Sequence, residues 1–304
     1  MVTDSTGRQV VVRQPPLGDL VASAHNVLRE GRIMAALADT PVPVPTIFGA
    51  SDVTRPGAVS DQPTIAMSFV PGVTANSRRV VDGMSPTVRR ATASSLIDAM
   101  TAVHQVDLVA TGLADVASTD AYAPRQLRRW TKQWDKSKTR ELPELESLTE
   151  RLHAAVPQQT ETTLVHGDLH LGNLLVDPAD GSALAVVDWE LATLGDPLAD
   201  IGSLLAYWPV RNGPQLPGFD AALAEGFPTP EELATMYFER TGRDINALGF
   251  WHVLGVWKVA IIVEGVVRRS LDRPENANRA GVPTPQFVEM LVAYATQLAD
   301  RYAL

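Results

Sequence analysis

His166-Gly167-Asp168-Leu169-His170-Leu171-Gly172-Asn173 is a polar, glycine-punctuated segment between two apolar runs, residues 164–165 before it and 174–176 after it. Asp177-Pro178-Ala179-Asp180-Gly181-Ser182 follows as a dense turn signal, since Asp, Pro and Gly each favour tight backbone reversals. A second apolar run, 184–187, then ends at Asp188. Two short apolar runs around a turn predict a β-hairpin with polar residues at its open end. Antiparallel strands bring the chain back to where it began, so Asn173 and Asp188 are expected side by side, with Asp168 one loop away. An amide oxygen, a carboxylate and a nearby second carboxylate suit Mg²⁺, a hard cation that takes oxygen ligands and keeps places for substrate phosphate. The same set suits phosphoryl transfer, where the protein positions charge and metal and one Asp accepts the hydroxyl proton. The pattern His166-x-Asp168-x-His170 also matches a zinc site, yet His25, His104 and His252 show no further ligand spacing.

Around this hairpin the chain reads as mainly helical. Helices are predicted over 86–105, 124–134, 142–155, 197–208, 230–241, 250–270 and 285–302. Several start with Pro at or near the first helical position, where its missing N–H costs nothing. Asp196-Pro197 reads as a helix cap followed by Pro, with Asp200 one turn in, where a carboxylate complements the helix dipole.

The first seventy residues differ. The β-branched run 10–12 predicts a strand ending at Arg13 and stopped by Pro15 and Pro16. A helix over 21–38 ends at the prolines 41, 43 and 45. Ile47 and Phe48 suggest a short strand and 64–70 another, broken by Pro71 and Gly72. A boundary there divides the chain into 1–72 and 73–304. On the predicted helix Val27, Glu30, Met34 and Leu37 share one face, so Glu30 is a carboxylate on an apolar side and needs a partner. Arg13 is the natural one.

Composition limits the function. The chain has 304 residues, 45% hydrophobic, enough for two lobes sharing a cleft. Its net charge of −9 argues against nucleic acid as a partner. No cysteine is present, which removes disulfides, thiol nucleophiles and Cys-based metal sites. The longest apolar stretch, 253–267, carries Lys258 and Glu264 and is short for a bilayer, and no leader pattern opens the sequence, so a cytoplasmic protein without a membrane partner is expected.

The strings HGDLHLGN at 166–173 and VVDWELATLGDPLAD at 186–200 together resemble the aminoglycoside phosphotransferase and choline kinase family of the protein-kinase-like fold. The resemblance implies an α+β, bilobal protein, with a small β-rich nucleotide-binding lobe and a larger helical lobe. It implies Asp168 as catalytic base, Asn173 and Asp188 as Mg²⁺ ligands, and Asp200 as a brace for the catalytic loop, although helix-start chemistry explains Asp200 as well. Leu171 stands where the family usually has proline. The Arg13–Glu30 pair would take the place of a Lys–Glu pair that aims a cation at the nucleotide phosphates; Arg is a planar fork and not a point charge. Backbone groups near Ser68 and Val70 would hold the base of ATP or GTP. The phosphate-covering Gly-rich loop expected before Arg13 is not evident, Asp4-Ser5-Thr6-Gly7 being the one turn candidate. Arg125-Gln126-Leu127-Arg128-Arg129-Trp130, Trp257-Lys258, residues 265–269, 13–16, 24–30 and 41–45 resemble the branch fused to acyl-CoA dehydrogenases in animals. That branch implies a hydroxyacyl-CoA-like or an aminoglycoside-like acceptor, walled by Tyr207, Trp208, Trp251, Trp257 and Glu264 unless these are core. Arg268 and Arg269 could grip an anion or be solvated. The alternative to a small-molecule kinase is a nucleotide-binding protein of the same fold with little catalysis.

Overall fold

The computed structural model describes residues 1–3, 7, 9–15, 26–53, 60–272 and 283–304. Strand β1 (Val2–Thr3) pairs antiparallel with β2 (Gln9–Arg13), Val2 opposite Val10. Helix α1 (Val27–Ala36), β3 (Ile47–Ser51) and β4 (Thr64–Ser68) follow, giving a four-stranded antiparallel sheet in the order β1-β2-β4-β3. Of the expected turn at 4–7 only Gly7 is among the described residues; its φ of 85° is a reversal that glycine adopts without strain. The helix expected over 21–38 is shorter at its start, because Asn26 accepts a hydrogen bond from Arg29 N–H and caps it; residues 16–25 lie outside the described set. Helix α1 lies so close on β4 that a Cβ at Gly31 would sit 2.8 Å from Ile65 Cγ2. Its buried face carries Val27, Ile33, Met34 and, as the spacing demanded, Glu30.

Beyond Gly72 come β5 (Val73–Thr74), α2 (Arg78–Val81), α3 (Pro86–His104), α4 (Tyr122–Ser137) and α5 (Pro143–Ala154). Four short strands interrupt the helices: β6 (Thr163–Val165), β7 (Leu174–Val176), β8 (Ala183–Val186) and β9 (Thr193–Gly195). Helices α6 (Leu198–Tyr207), α7 (Pro230–Thr241), α8 (Leu248–Asp272) and α9 (Pro285–Arg301) complete the larger, helical part. The hairpin is β7–β8, with Leu174 opposite Val186, and β5 extends it to three strands. Its turn is built as the composition suggests: Gly181, φ 80°, donates to the Asp177 carbonyl, and the Asp177 and Asp180 carboxylates accept from Ala179 and Ser182 N–H. The β6–β9 pairing has no signal in the sequence, since residues 193–195 carry too little apolar alternation to read as a strand.

Helix α8 runs past the apolar stretch read from the sequence and is long and apolar enough to cross a membrane, but 83% of that window is buried inside the protein. It is the central helix of the larger part, packed on α6 and α9. The α6–α8 contact is backbone on backbone. A Cβ at Gly202 would lie 2.3 Å from the Trp251 carbonyl oxygen, and one at Gly255 would lie 2.5 Å from that of Gly202.

Candidate active site

The hairpin delivers the expected trio to one place. Val187 N–H donates to the Asn173 carbonyl at 3.0 Å, which sets Asp188 beside Asn173 at the open end. Asn173 Nδ2 donates to the Asp168 carbonyl at 2.9 Å and to Asp168 Oδ2 at 3.3 Å. With its nitrogen turned to Asp168, Asn173 keeps Oδ1 as an acceptor for a cation. Asp188 has φ 66°, a left-handed conformation that Asp tolerates better than most residues. Asp168 and Asp188 remain 27% and 38% exposed, so both carboxylates can meet a ligand from the cleft.

The loop backbone is held from beneath. Asp200, on the first turn of α6, accepts from His166 N–H at 2.7 Å and from Gly167 N–H at 2.8 Å, and His104 Nε2–H donates to it at 3.1 Å. His104 Nδ1 in turn accepts from the Tyr237 hydroxyl at 2.9 Å, linking α3 and α7 to the same carboxylate. Burial by itself would raise the Asp200 pKa, but the bonds from His104 and Gly167 outweigh it and hold it below the ordinary value. Gly167 has φ 83°, and a Cβ there would lie 2.8 Å from the Leu191 carbonyl, so only glycine fits. Its carbonyl accepts from Lys258 Nζ at 3.3 Å. Asp196 precedes Pro197, the residue at the cap position of α6, and its Oδ1 accepts from Leu198 N–H at the first residue of the helix.

His166 is wholly buried and committed to the backbone: Nε2–H donates to the Val187 carbonyl and Nδ1 accepts from Asp168 N–H. Burial depresses its pKa, so it stays neutral. His170 Nδ1 accepts from Gly172 N–H. His170 Nε2 lies 3.6 Å from Asp168 Oδ2, whereas both nitrogens of His166 serve loop geometry, so the His-Asp-His zinc reading loses its first ligand.

Arg13 reaches further than expected. Its Nε donates to Glu30 Oε2 at 2.8 Å, its Nη2 to Asp188 Oδ1 at 3.0 Å, and Nη2 lies 4.0 Å from Glu190. Glu30 is 3% exposed; burial raises its pKa, and the Arg13 guanidinium opposes the rise. At the segment expected to meet the base, Ser68 N–H already donates to the Thr46 carbonyl and the Ser68 hydroxyl accepts from Thr46 N–H. The Val70 carbonyl accepts from Gly72 N–H.

Most of the expected acceptor wall is core. Trp208, Trp251 and Trp257 are buried, Trp208 donating to the Pro228 carbonyl and Trp257 to Thr149 Oγ1. Glu264 is fully buried and accepts from Thr139 N–H and from Arg140 Nη1, so it ties α8 to the segment after α4. Tyr207 does stand near the loop, its ring 5.4 Å from that of His170 and stacked on Phe219. Arg268 pairs with Asp272 on its own helix.

The sequence profile described as the phosphotransferase enzyme family matches residues 1–235. This chain belongs to that family. Mouse acyl-CoA dehydrogenase family member 10 is 38% identical over 297 residues, which are 95% of this chain and 27% of that protein. The chain thus spans about a quarter of that relative. A Ralstonia eutropha crystal structure described as a candidate aminoglycoside phosphotransferase is 33% identical, with a TM-score of 0.78 over 96% of this chain and 87% of the other. A Streptomyces rimosus aminoglycoside phosphotransferase solved with ADP and streptomycin shares the fold at 15% identity, TM-score 0.52, covering 84% of this chain and 89% of that one. The phosphotransferase therefore has the protein-kinase-like fold, with its small antiparallel sheet and larger helical part.

Proposed function

We propose that this phosphotransferase moves the γ-phosphoryl group of ATP or GTP to a hydroxyl of a small molecule. The grouping of Asp168, Asn173 and Asp188 at the open end of one hairpin carries the reading. In the step, the acceptor oxygen bonds to the γ-phosphorus and the bond to the β–γ bridging oxygen breaks. The nucleoside diphosphate leaves, and the hydroxyl proton passes to Asp168. The Asn173–Asp168 bonds orient that carboxylate, and Asp200 fixes the loop backbone under it. The buried Asn173 Oδ1 and the 38% exposed Asp188 carboxylate are hard oxygen donors that fit Mg²⁺, which keeps its other sites for water and phosphate. Bound there, the ion would neutralise phosphate charge. Arg13, oriented by Glu30, offers the cation for the phosphates. Because Ser68 N–H is occupied, the base edge is left to the residues beyond it, toward Val70.

The acceptor is a hydroxyacyl-CoA-like or an aminoglycoside-like alcohol, a reading that the relatives' names support. A cytoplasmic setting supplies the nucleotide. Asp168→Asn tests the reading: nucleotide hydrolysis or transfer should fall by roughly 10²–10⁴ while nucleotide binding persists. Near-normal turnover in that variant removes Asp168 from the chemistry.

A second reading, a nucleotide-binding protein with little catalysis, draws on Arg13 contacting Asp188 itself. Equal Mg²⁺-dependent hydrolysis by wild type and Asp188→Ala would favour it.

A further inference from the structure

Beside the catalytic loop lies charge that the transfer step above does not use. A cavity of about 260 Å³ opens against Gly167, the residue before Asp168. Four cations from three helices line it: Arg29 of α1, Arg125 and Arg129 of α4, and Lys258 of α8. Glu190 is the carboxylate on its wall. In a protein of net charge −9, four cations around one cavity run against the overall balance.

These cations are aimed without being neutralised. Arg29 donates to the carbonyls of Ala192 and Val116, and Arg125 to those of Asp120 and Leu194. Lys258 donates to the Gly167 carbonyl, and its ammonium and the Arg129 guanidinium both lie 5.5 Å from a Trp130 ring centroid. Among the described residues none of the four has a carboxylate within 4.0 Å, whereas Arg32, Arg140 and Arg243 do. Gathering like charges in a part-enclosed space is costly, and an anion entering it relieves the repulsion. Burial already lowers the pKa values of Arg29 and Lys258.

We propose that this cavity is an anion subsite for the acceptor, so that the substrate carries a phosphate or carboxylate group besides the hydroxyl presented to Asp168. The inference rests on the kinase reading for the position of that hydroxyl. It sets an anionic acceptor, of which a phosphorylated carrier is one form, above a polycationic amino sugar, which Arg125, Arg129 and Lys258 would repel. Arg29, Arg125 and Lys258 also donate to main-chain carbonyls around the catalytic loop, so Arg129 is the specificity-determining residue best suited to test, with Arg125 beside it.

The experiment is calorimetric titration of the full chain, kept saturated with Mg²⁺ and ADP, with pyrophosphate, malonate and streptomycin. Pyrophosphate and malonate separate a phosphate from a carboxylate preference; streptomycin is the oppositely charged arm. Binding of at least one anion is expected, weakening with added salt. Arg125→Gln and Arg129→Gln should each weaken it about tenfold or more, the loss of one charge-assisted hydrogen bond. Arg129 is exposed and makes no hydrogen bond among the described residues, so its variant should melt with the wild type. Asp168→Asn should bind the anion as the wild type does. Streptomycin binding in preference to both anions, no anion binding, or anion affinity untouched by both arginine variants overturns the subsite. Anion binding that meets these expectations in a protein without hydrolysis would fail the kinase reading and leave the subsite standing.

Discussion

Arg13→Ala should destabilise the fold in a way that depends on pH. The guanidinium is 34% exposed while Glu30, its 2.8 Å partner, is 3% exposed. Breaking an exposed ion pair costs less than about 1 kcal/mol and breaking a buried one about 3–5 kcal/mol. A pair with one buried and one part-exposed member falls between, at roughly 2–3 kcal/mol. The cost arises from the stranded Glu30 carboxylate, so Arg13→Ala combined with Glu30→Gln should recover most of it. The pH signature follows from the same residue. Glu30 has its folded-state pKa raised by burial, and Arg13 opposes that rise. Without Arg13 the folded pKa moves higher still. A carboxyl whose folded pKa is raised favours the folded state when protonated, so its stabilisation is present at low pH and lost as pH rises through the folded value. The Arg13→Ala variant should therefore regain stability between pH 7 and 5 relative to wild type. Urea denaturation of the four members of the Arg13/Glu30 cycle at both pH values measures this. Additive losses, with no pH dependence of the coupling, would refute the reasoning and leave Arg13 as a residue serving Asp188 alone. Turnover adds a second axis: Arg13→Lys should keep part of it, whereas the double variant should not recover any.

Asn173→Ala and Asp188→Ala should each abolish the tightening of ATP or GTP binding by Mg²⁺, and equal wild-type affinity with and without the ion would end the metal assignment. Asp200→Asn turns an amide N–H₂ toward donors from His166, Gly167 and His104, and should cost about 3–5 kcal/mol in urea denaturation, a large share of a stability of about 5–15 kcal/mol. A shift under about 1 kcal/mol would show that the loop holds its shape without that brace. His252, buried with Nε2 unpartnered, has its pKa depressed by burial to about 4. Its neutral form favours the folded state above the ordinary histidine value, and that contribution, on the order of 3 kcal/mol, is lost as pH falls from about 6.5 toward 4. Comparing wild type with His252→Phe at pH 7.5 and 4.5 checks it, and identical acid sensitivity would rule His252 out as the source.

What could be read in the sequence was local. The hairpin joining Asn173 to Asp188 needs only two apolar runs and a turn, and Glu30 betrays itself by helical spacing. The inward tryptophans were harder, because α8 is apolar on every side and periodicity cannot separate core from cleft. The cationic cavity is not legible locally: its residues fall in segments that resemble the branch, but Arg29, Arg125 and Lys258 are far apart in the sequence, and only the packing of α1, α4 and α8 brings them together. Arg13 reaching Asp188 is likewise a long-range contact that strand and helix signals cannot show.

The glycine pair between α6 and α8 makes the catalytic loop answerable to residues that never approach it. Asp200 on α6 holds the Gly167 amide, and Lys258 on α8 holds the Gly167 carbonyl. Both faces of one peptide segment are thus registered to helices whose spacing is set by the absence of two methyl groups. Alanine at Gly202 or Gly255 would wedge α6 from α8 and pull the two restraints apart. Loss of function from such a change would look remote on a map of the cleft, yet it would act through the two restraints on Gly167, the neighbour of Asp168.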